Sequence, residues 1–396
     1  MQKPEKSAKA IFYGTTEAIA VLVGTIIGAG VFTLPYVASR SGLVTVIIWL
    51  AIVCLIIIFL HLAFGEIVQR TAKDFRLPGY AGYYLGAPAK KLMLIITFFT
   101  FSFSLLIYLL LGGQFLKTLF LSFNWGNILP LDFLVVFLWL VLNVIILSKR
   151  HLTTKVNFYL SLALLFLFFF IACYALPHFK MNNLNLFQFS NKWGWLLPYG
   201  VIFFALNGMV AVPEAAKVLN RKNITKDNLK KVIIIGTLIP AFCYFLFIMA
   251  VVGVSGPNTT IEAVRGLMGI LGREIVAIGA VLGFLAVTTS YLIFATYIKN
   301  SFRNDFGWSP FVGNFLVVAG PLILYFANFA SLIKLISFLG GMLGGLEGAM
   351  ILLILKKAKI KSDLKPAYEI PFNKLILMIL FFALISGALC QTFLAH

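Results

Sequence analysis

Eleven apolar runs divide this chain, at residues 12–38, 43–68, 92–121, 129–148, 156–177, 195–217, 232–254, 274–298, 310–328, 330–355 and 372–394. About 20 apolar residues cross the hydrocarbon core of a bilayer as a helix. In lipid, an open-ended segment satisfies its own backbone only when it is helical. The expected architecture is therefore an all-α, polytopic membrane protein with 11 transmembrane helices in one domain over residues 1–396. Only 11% of residues are charged and 61% are hydrophobic, against about 25% charged in soluble chains. Such a chain cannot cover its surface with polar groups in water.

Basic residues settle between the runs. With the N-terminus in the cytoplasm, 25 of the 32 Lys and Arg fall on the cytoplasmic side. Lys and Arg favour that side of short loops. The reading is N-terminus inside, C-terminus outside, in a prokaryotic cell membrane. The formal charge of +19 is then a topology signal, and nucleic acid is not an expected partner; the lipid bilayer is. Cys54, Cys173, Cys243 and Cys390 all lie in apolar runs without metal-ligand spacing, and no cleaved leader is read at the N-terminus.

Two runs are interrupted. Span one carries Gly24-Thr25-Ile26-Ile27-Gly28-Ala29-Gly30 and then Pro35; span six carries Leu206-Asn207-Gly208-Met209 and then Pro213-Glu214. Glycine weakens a helix and proline removes a backbone bond. At membrane depth such breaks persist where the freed groups line a cavity. Interrupted spans at matching places in two halves point to a transport site. Their offset of five spans inverts one half relative to the other. An inverted 5+5 repeat, about 12–177 against 195–355 with an extra helix at 372–394, is expected. Gly24 and Gly28 also have small-residue packing spacing, as do Gly340-Gly341 and Gly344-Gly345 in span ten, where packing is the preferred reading.

The stretch Gly24 to Phe32, with Leu34-Pro35 after it, resembles the helix-one signature of the amino acid–polyamine–organocation superfamily. Phe204 through Glu214 is similar to its helix six, and Glu66 with Pro78-Gly79-Tyr80-Ala81-Gly82-Tyr83-Tyr84 resembles the stretch after helix two. Eleven spans, and Thr288-Thr289-Ser290-Tyr291 in span eight, bring the match towards the amino acid/auxin permeases and the bacterial aromatic amino acid permeases. The resemblance implies a LeuT-type fold, alternating access and cation-coupled uptake of an amino acid.

The residues suit that implication. A half-helix starting at Gly28, Ala29 and Gly30 aims free N–H groups and a positive dipole end at the membrane middle, where a carboxylate is favoured. Half-helices ending near Ile26–Ile27 and Ala205–Leu206 offer carbonyls to an ammonium. Phe203, Phe204, Asn207 and Met209 of span six and Ser104 and Tyr108 of span three are candidate pocket walls. The resemblance gives Tyr108 the carboxylate. It also implies a sodium site from the carbonyls of Gly24, Ile27 and Ala286 and the hydroxyls of Thr289 and Ser290. Five oxygens suit a hard cation. In some proton-coupled relatives a lysine in span five fills this hole, and residues 158–176 have none. The competing reading is that Thr and Ser bond carbonyls one turn back.

Carboxylates inside spans are functional candidates. Glu17 and Glu66 fit a cytoplasmic gate, although Glu66 also lies one turn from Arg70, and Glu347 fits a coupled proton or a gate anchor. The walls Phe203, Phe204 and Met209 carry no charge, so the expected substrate is a neutral, large or aromatic amino acid, with sodium or a proton as coupling ion and no other cofactor. An enzyme is disfavoured: His61, His151, His178 and His396 are scattered, with no HExxH. A channel lacks a filter-like repeat. A sensor on the same fold stays open, as does oligomeric state.

Overall fold

The computed structural model describes residues 8–125, 129–148, 173–186, 194–222, 224–225, 227–306, 309–327, 331–371 and 380–387, with scattered positions from 162 to 171 and at 378. Half of span five and most of span eleven lie outside these residues. The described residues are all helix, turn and loop. Among the described residues, six helices are long and apolar enough to cross a membrane, or seven if the bent pair of span one is one span.

Span one runs from Ala8 to Ile26, leaves helical backbone at Ile27-Gly28, makes a 3₁₀ turn at Ala29–Thr33 and resumes as Leu34–Ser41. Gly28 is extended, with φ −133° and ψ −151°. The axes of its two parts differ by 47°. Pro35 sits in the first turn of the second part, where a missing N–H costs no helix bond. Span six repeats the device: Leu197–Leu206, a gap at Asn207-Gly208, a 3₁₀ turn at Met209–Ala211, then Val212–Arg221 with Pro213 in its first turn. Asn207 is extended at φ −69° and ψ 111°.

The remaining spans surround these two. They are Leu43–Arg70 (two), Ala87–Ser122 (three), Leu131–Leu147 (four), Asn228–Ser255 (seven), Arg273–Phe306 (eight) and Pro310–Phe326 (nine). Span ten is Leu332–Phe338 and Gly344–Ala358 joined by a π turn at Leu339–Leu343. Spans three and eight pack along much of their length. Leu55, Phe137, Phe242, Phe311 and Phe326 point outward and exposed, as lipid-facing side chains do.

Glycine sets the closest approaches. A Cβ on Gly30 would lie 2.6 Å from Ala205 Cα, so the second part of span one touches span six backbone to backbone. A Cβ on Gly340 would lie 1.9 Å from the Gly200 carbonyl oxygen, and one on Gly344 2.6 Å from the Phe203 ring. The span-ten glycines are packing glycines, and the π turn falls at this contact.

At the end bearing the basic loops, residues 359–371 fold back over span two. Glu66 is fully buried there. It accepts from Arg70 at 2.8 Å, from Lys359 at 2.8 Å and from the Ile370 amide at 2.7 Å. Tyr83 and the Ala72 amide donate to Asp363 on the same strap, and these bonds hold that exposed carboxyl below the usual carboxylate range. Glu17 pairs with Arg221 at 3.3 Å and Lys222 at 2.5 Å.

Candidate functional site

The two breaks face each other across one cavity. Its walls include Ile26, Gly28, Ala29 and Gly30 from span one and Phe204, Ala205, Asn207 and Met209 from span six. Ser104 and Tyr108 of span three line it as expected, and Glu347 of span ten joins them. The amides of Gly28, Ala29 and Gly30 precede the first internal bond of their 3₁₀ turn and meet no acceptor among the described residues. A Cβ on Gly28 would meet only the Ser290 hydroxyl, at 3.1 Å. That glycine therefore keeps space clear beside the break, whereas Gly30 is needed for packing.

Two expectations need correction. Phe203 is not a wall. It is fully buried and packs on Tyr199 and Gly344. Adjacent helix residues project about 100° apart, so Phe204 faces the cavity and Phe203 faces span ten. Secondly, the cavity is not free of charged groups, since Glu347 lines it and Arg76 sits among its walls. Thr100 and Asn207 flank Glu347, with no basic side chain paired to it among the described residues. The carbonyls of Ile26 and Ala205 share one side-chain donor. The Tyr244 hydroxyl, from span seven, lies 2.7 Å from the first and 3.1 Å from the second. One phenol thus ties together the ends of both interrupted half-helices.

The cation-site candidates sit beside the break rather than in the cavity wall. Thr289 donates to the carbonyls of Leu285 and Ala286, each at 2.9 Å. Its oxygen and that of Ala286 are therefore neighbours, and its lone pairs stay free to accept. Ser290 lies against Gly28. Gly24 and Ile27 are buried on the first part of span one. Glu66 and Glu17 are brought into the basic-loop contacts described above, away from the cavity walls.

Sequence reasoning did not find His61, Arg76, Tyr244 or Tyr297. Arg76 pairs with Glu214 at 3.1 Å and lies over the Tyr297 ring at 4.8 Å. Glu214 also takes Lys217 at 3.3 Å. These groups close the cavity towards the basic loops. Spans three and eight add an aromatic lining: Phe294 stands edge-on to Tyr108 at 5.4 Å, and Phe101 stacks on Tyr297 at 4.7 Å.

The model of the tryptophan/tyrosine permease family matches residues 13–391. This chain belongs to that family. It is 26% identical over 59% of its length to a protein named glutamine transporter 2 of Aliivibrio fischeri, and it spans only 59% of that relative. It is 24% identical over 91% of its length to the tyrosine-specific transport system 2 of Haemophilus influenzae, covering 76% of it. Among solved structures it is similar to MhsT in complex with L-phenylalanine, at TM-score 0.64 and 18% identity, with 100% of each chain covered. It is also similar to inward-facing Mhp1, at TM-score 0.66 and 14% identity, with 96% of this chain and 90% of that one covered. These likenesses show a LeuT-type helical fold. Family and fold together make this permease a membrane transporter rather than an enzyme.

Proposed function

We propose that this permease takes up a neutral, large or aromatic amino acid by cation symport. One observation carries the reading. Two interrupted helices face each other at one cavity, and the span-one break presents a run of three backbone amides unpaired among the described residues, at Gly28, Ala29 and Gly30. A carboxylate fits there, beside the positive end of the resumed helix. The Tyr108 hydroxyl stands on the same cavity. The ammonium meets the Glu347 carboxyl and Asn207, beside the Ile26 and Ala205 carbonyls, which share the single Tyr244 proton and keep lone pairs to accept. Phe101, Phe204 and Phe294 give the side chain an aromatic surround. The names of relatives, a glutamine transporter and tyrosine-specific systems, agree with a neutral side chain.

Sodium is the proposed ion, held by the carbonyls of Gly24, Ile27 and Ala286 and the hydroxyls of Thr289 and Ser290. The adjacency of the Thr289 and Ala286 oxygens and the contact of Ser290 with Gly28 support it. A second reading, proton coupling through Glu347, is favoured by the place of that carboxyl in the cavity. The proposed orientation puts the basic loops and the Arg76–Glu214 pair in the cytoplasm. The test is uptake of labelled tyrosine, tryptophan, phenylalanine and glutamine into proteoliposomes, under a sodium gradient and separately under a proton gradient. Accumulation of arginine or glutamate in preference to all four would refute the substrate class, and no gradient-driven uptake would refute symport.

A further inference from the structure

A broken helix leaves amides to be satisfied, and the break in span six takes up those of Gly208, Met209 and Ala211. Ala211 donates to the Gly208 carbonyl at 2.9 Å, and Met209 donates to the Asn207 side-chain oxygen at 3.2 Å. The Gly208 amide goes further afield, to Nε2 of His61 on span two at 3.1 Å. His61 is fully buried. Its other nitrogen, Nδ1, lies 3.1 Å from the Thr237 hydroxyl on span seven, which donates onward to the Ile233 carbonyl at 2.9 Å.

These contacts run in one direction. Nε2 accepts from Gly208, so it carries no proton. The ring proton is then on Nδ1 and is donated to Thr237, whose own proton is donated to Ile233. Every donor in the chain has one acceptor, and only the Nδ1–H neutral ring satisfies it. A Cβ on Gly208 would strike the Ile26 side chain at 2.5 Å, while the His61 ring at 3.5 Å would be in ordinary contact. Thr237 and Tyr244 are seven residues apart, about two helical turns, and so share a face of span seven. That face holds the break carbonyls through Tyr244 and the break amide through Thr237 and His61.

We propose that His61 is a positioning residue for the amino acid site: as a neutral Nδ1–H imidazole it fills the Gly208 amide and fixes the geometry of the span-six break. With the Gly208 and Met209 amides taken and those of Gly28, Ala29 and Gly30 open, the span-one break is the stronger site for a carboxylate. This inference rests on the transport reading above. Its anchor can nevertheless be measured without any ligand.

Two conservative pairs test it. His61→Gln keeps an acceptor and a donor in one side chain, and His61→Leu removes both. Thr237→Ser keeps the hydroxyl, and Thr237→Val removes it. Full-length variants are compared by amide hydrogen exchange over residues 206–211 and by uptake of labelled L-tyrosine and L-tryptophan in proteoliposomes. His61→Leu and Thr237→Val are expected to speed exchange at Gly208 and raise KM by about tenfold, the loss of roughly one buried hydrogen bond, with Vmax changed by about twofold or less. His61→Gln and Thr237→Ser should stay near the parent in both readouts, and the Leu/Val double variant should be no worse than His61→Leu alone. Unchanged exchange in His61→Leu would overturn the anchor, and a lower melting temperature with unchanged KM would overturn the positioning role. Should His61→Leu fail to insert, the Thr237 pair decides, and equal KM for Val and Ser overturns the proposal. If the parent takes up neither probe, the transport reading fails while exchange still decides the anchor.

Discussion

Single residues in this permease divide by what a side chain would meet. Gly28 and Gly30 are two positions apart with opposite surroundings. A methyl at 30 strikes Ala205 Cα at 2.6 Å and its Cβ at 2.8 Å, whereas one at 28 meets a single hydroxyl at 3.1 Å. Gly30→Ala is therefore expected to destabilise the protein by about 1–3 kcal/mol, as overpacking does, seen as a lower melting temperature in detergent. Gly28→Val should insert and melt near the parent yet lose amino acid binding, because its bulk enters the space beside the free amides. Equal loss of stability in both would make Gly28 a packing residue as well. At this scale the sequence was partly legible. The glycines announce themselves because glycine in an apolar run is locally anomalous. Phe203 and Phe204 do not, since the choice between cavity and core is one of helical phase, which the break at Asn207 disturbs.

Elements tell a different story. Both breaks were readable from local chemistry, Gly-rich segments followed by proline, and the structure interrupts the helices at Ile27-Gly28 and Asn207-Gly208. What holds the breaks in place was not readable, because the holding groups come from other spans. His61, Thr237 and Tyr244 are isolated polar residues in apolar runs, and nothing local tells a clamp from a satisfied core residue. One signal was available: Thr237 and Tyr244 recur at a two-turn spacing on span seven, which places both on one face. Tyr244→Phe tests the clamp. It removes the donor from two carbonyls at membrane depth, Ile26 at 2.7 Å and Ala205 at 3.1 Å. An unsatisfied buried acceptor costs about 1–3 kcal/mol. A lower melting temperature is expected, together with faster exchange in peptides bordering both breaks. Unchanged exchange at either break would show that Tyr244 does not hold it.

Across the whole molecule, transport requires the cavity to open alternately to each side, and coupling requires an ion that favours one opening. On the basic-loop side the barrier is Arg76, through Glu214 and the Tyr297 ring. A partly exposed ion pair and a cation–π contact each contribute about 1 kcal/mol or less. Arg76→Ala should thus raise the alkylation rate of Val210→Cys from that side by about thirtyfold at most, in a background without the native cysteines; no rise would place the barrier elsewhere. The coupling ion is decided by two variants. Thr289→Ala with Ser290→Ala removes two of the five proposed sodium ligands while keeping a good helix former. If sodium couples, amino acid affinity should lose its sodium dependence, because linkage between two bound ligands is reciprocal. Glu347→Gln should then leave the sodium dependence of uptake intact, even if amino acid affinity falls through loss of an ammonium partner. If a proton couples through Glu347, the pattern inverts. Uptake would persist without sodium and follow the pH gradient, the Thr289/Ser290 double variant would retain it, and Glu347→Gln would abolish accumulation while permitting exchange. Such a result would overturn the sodium site and leave the cavity, its two breaks and their clamps standing.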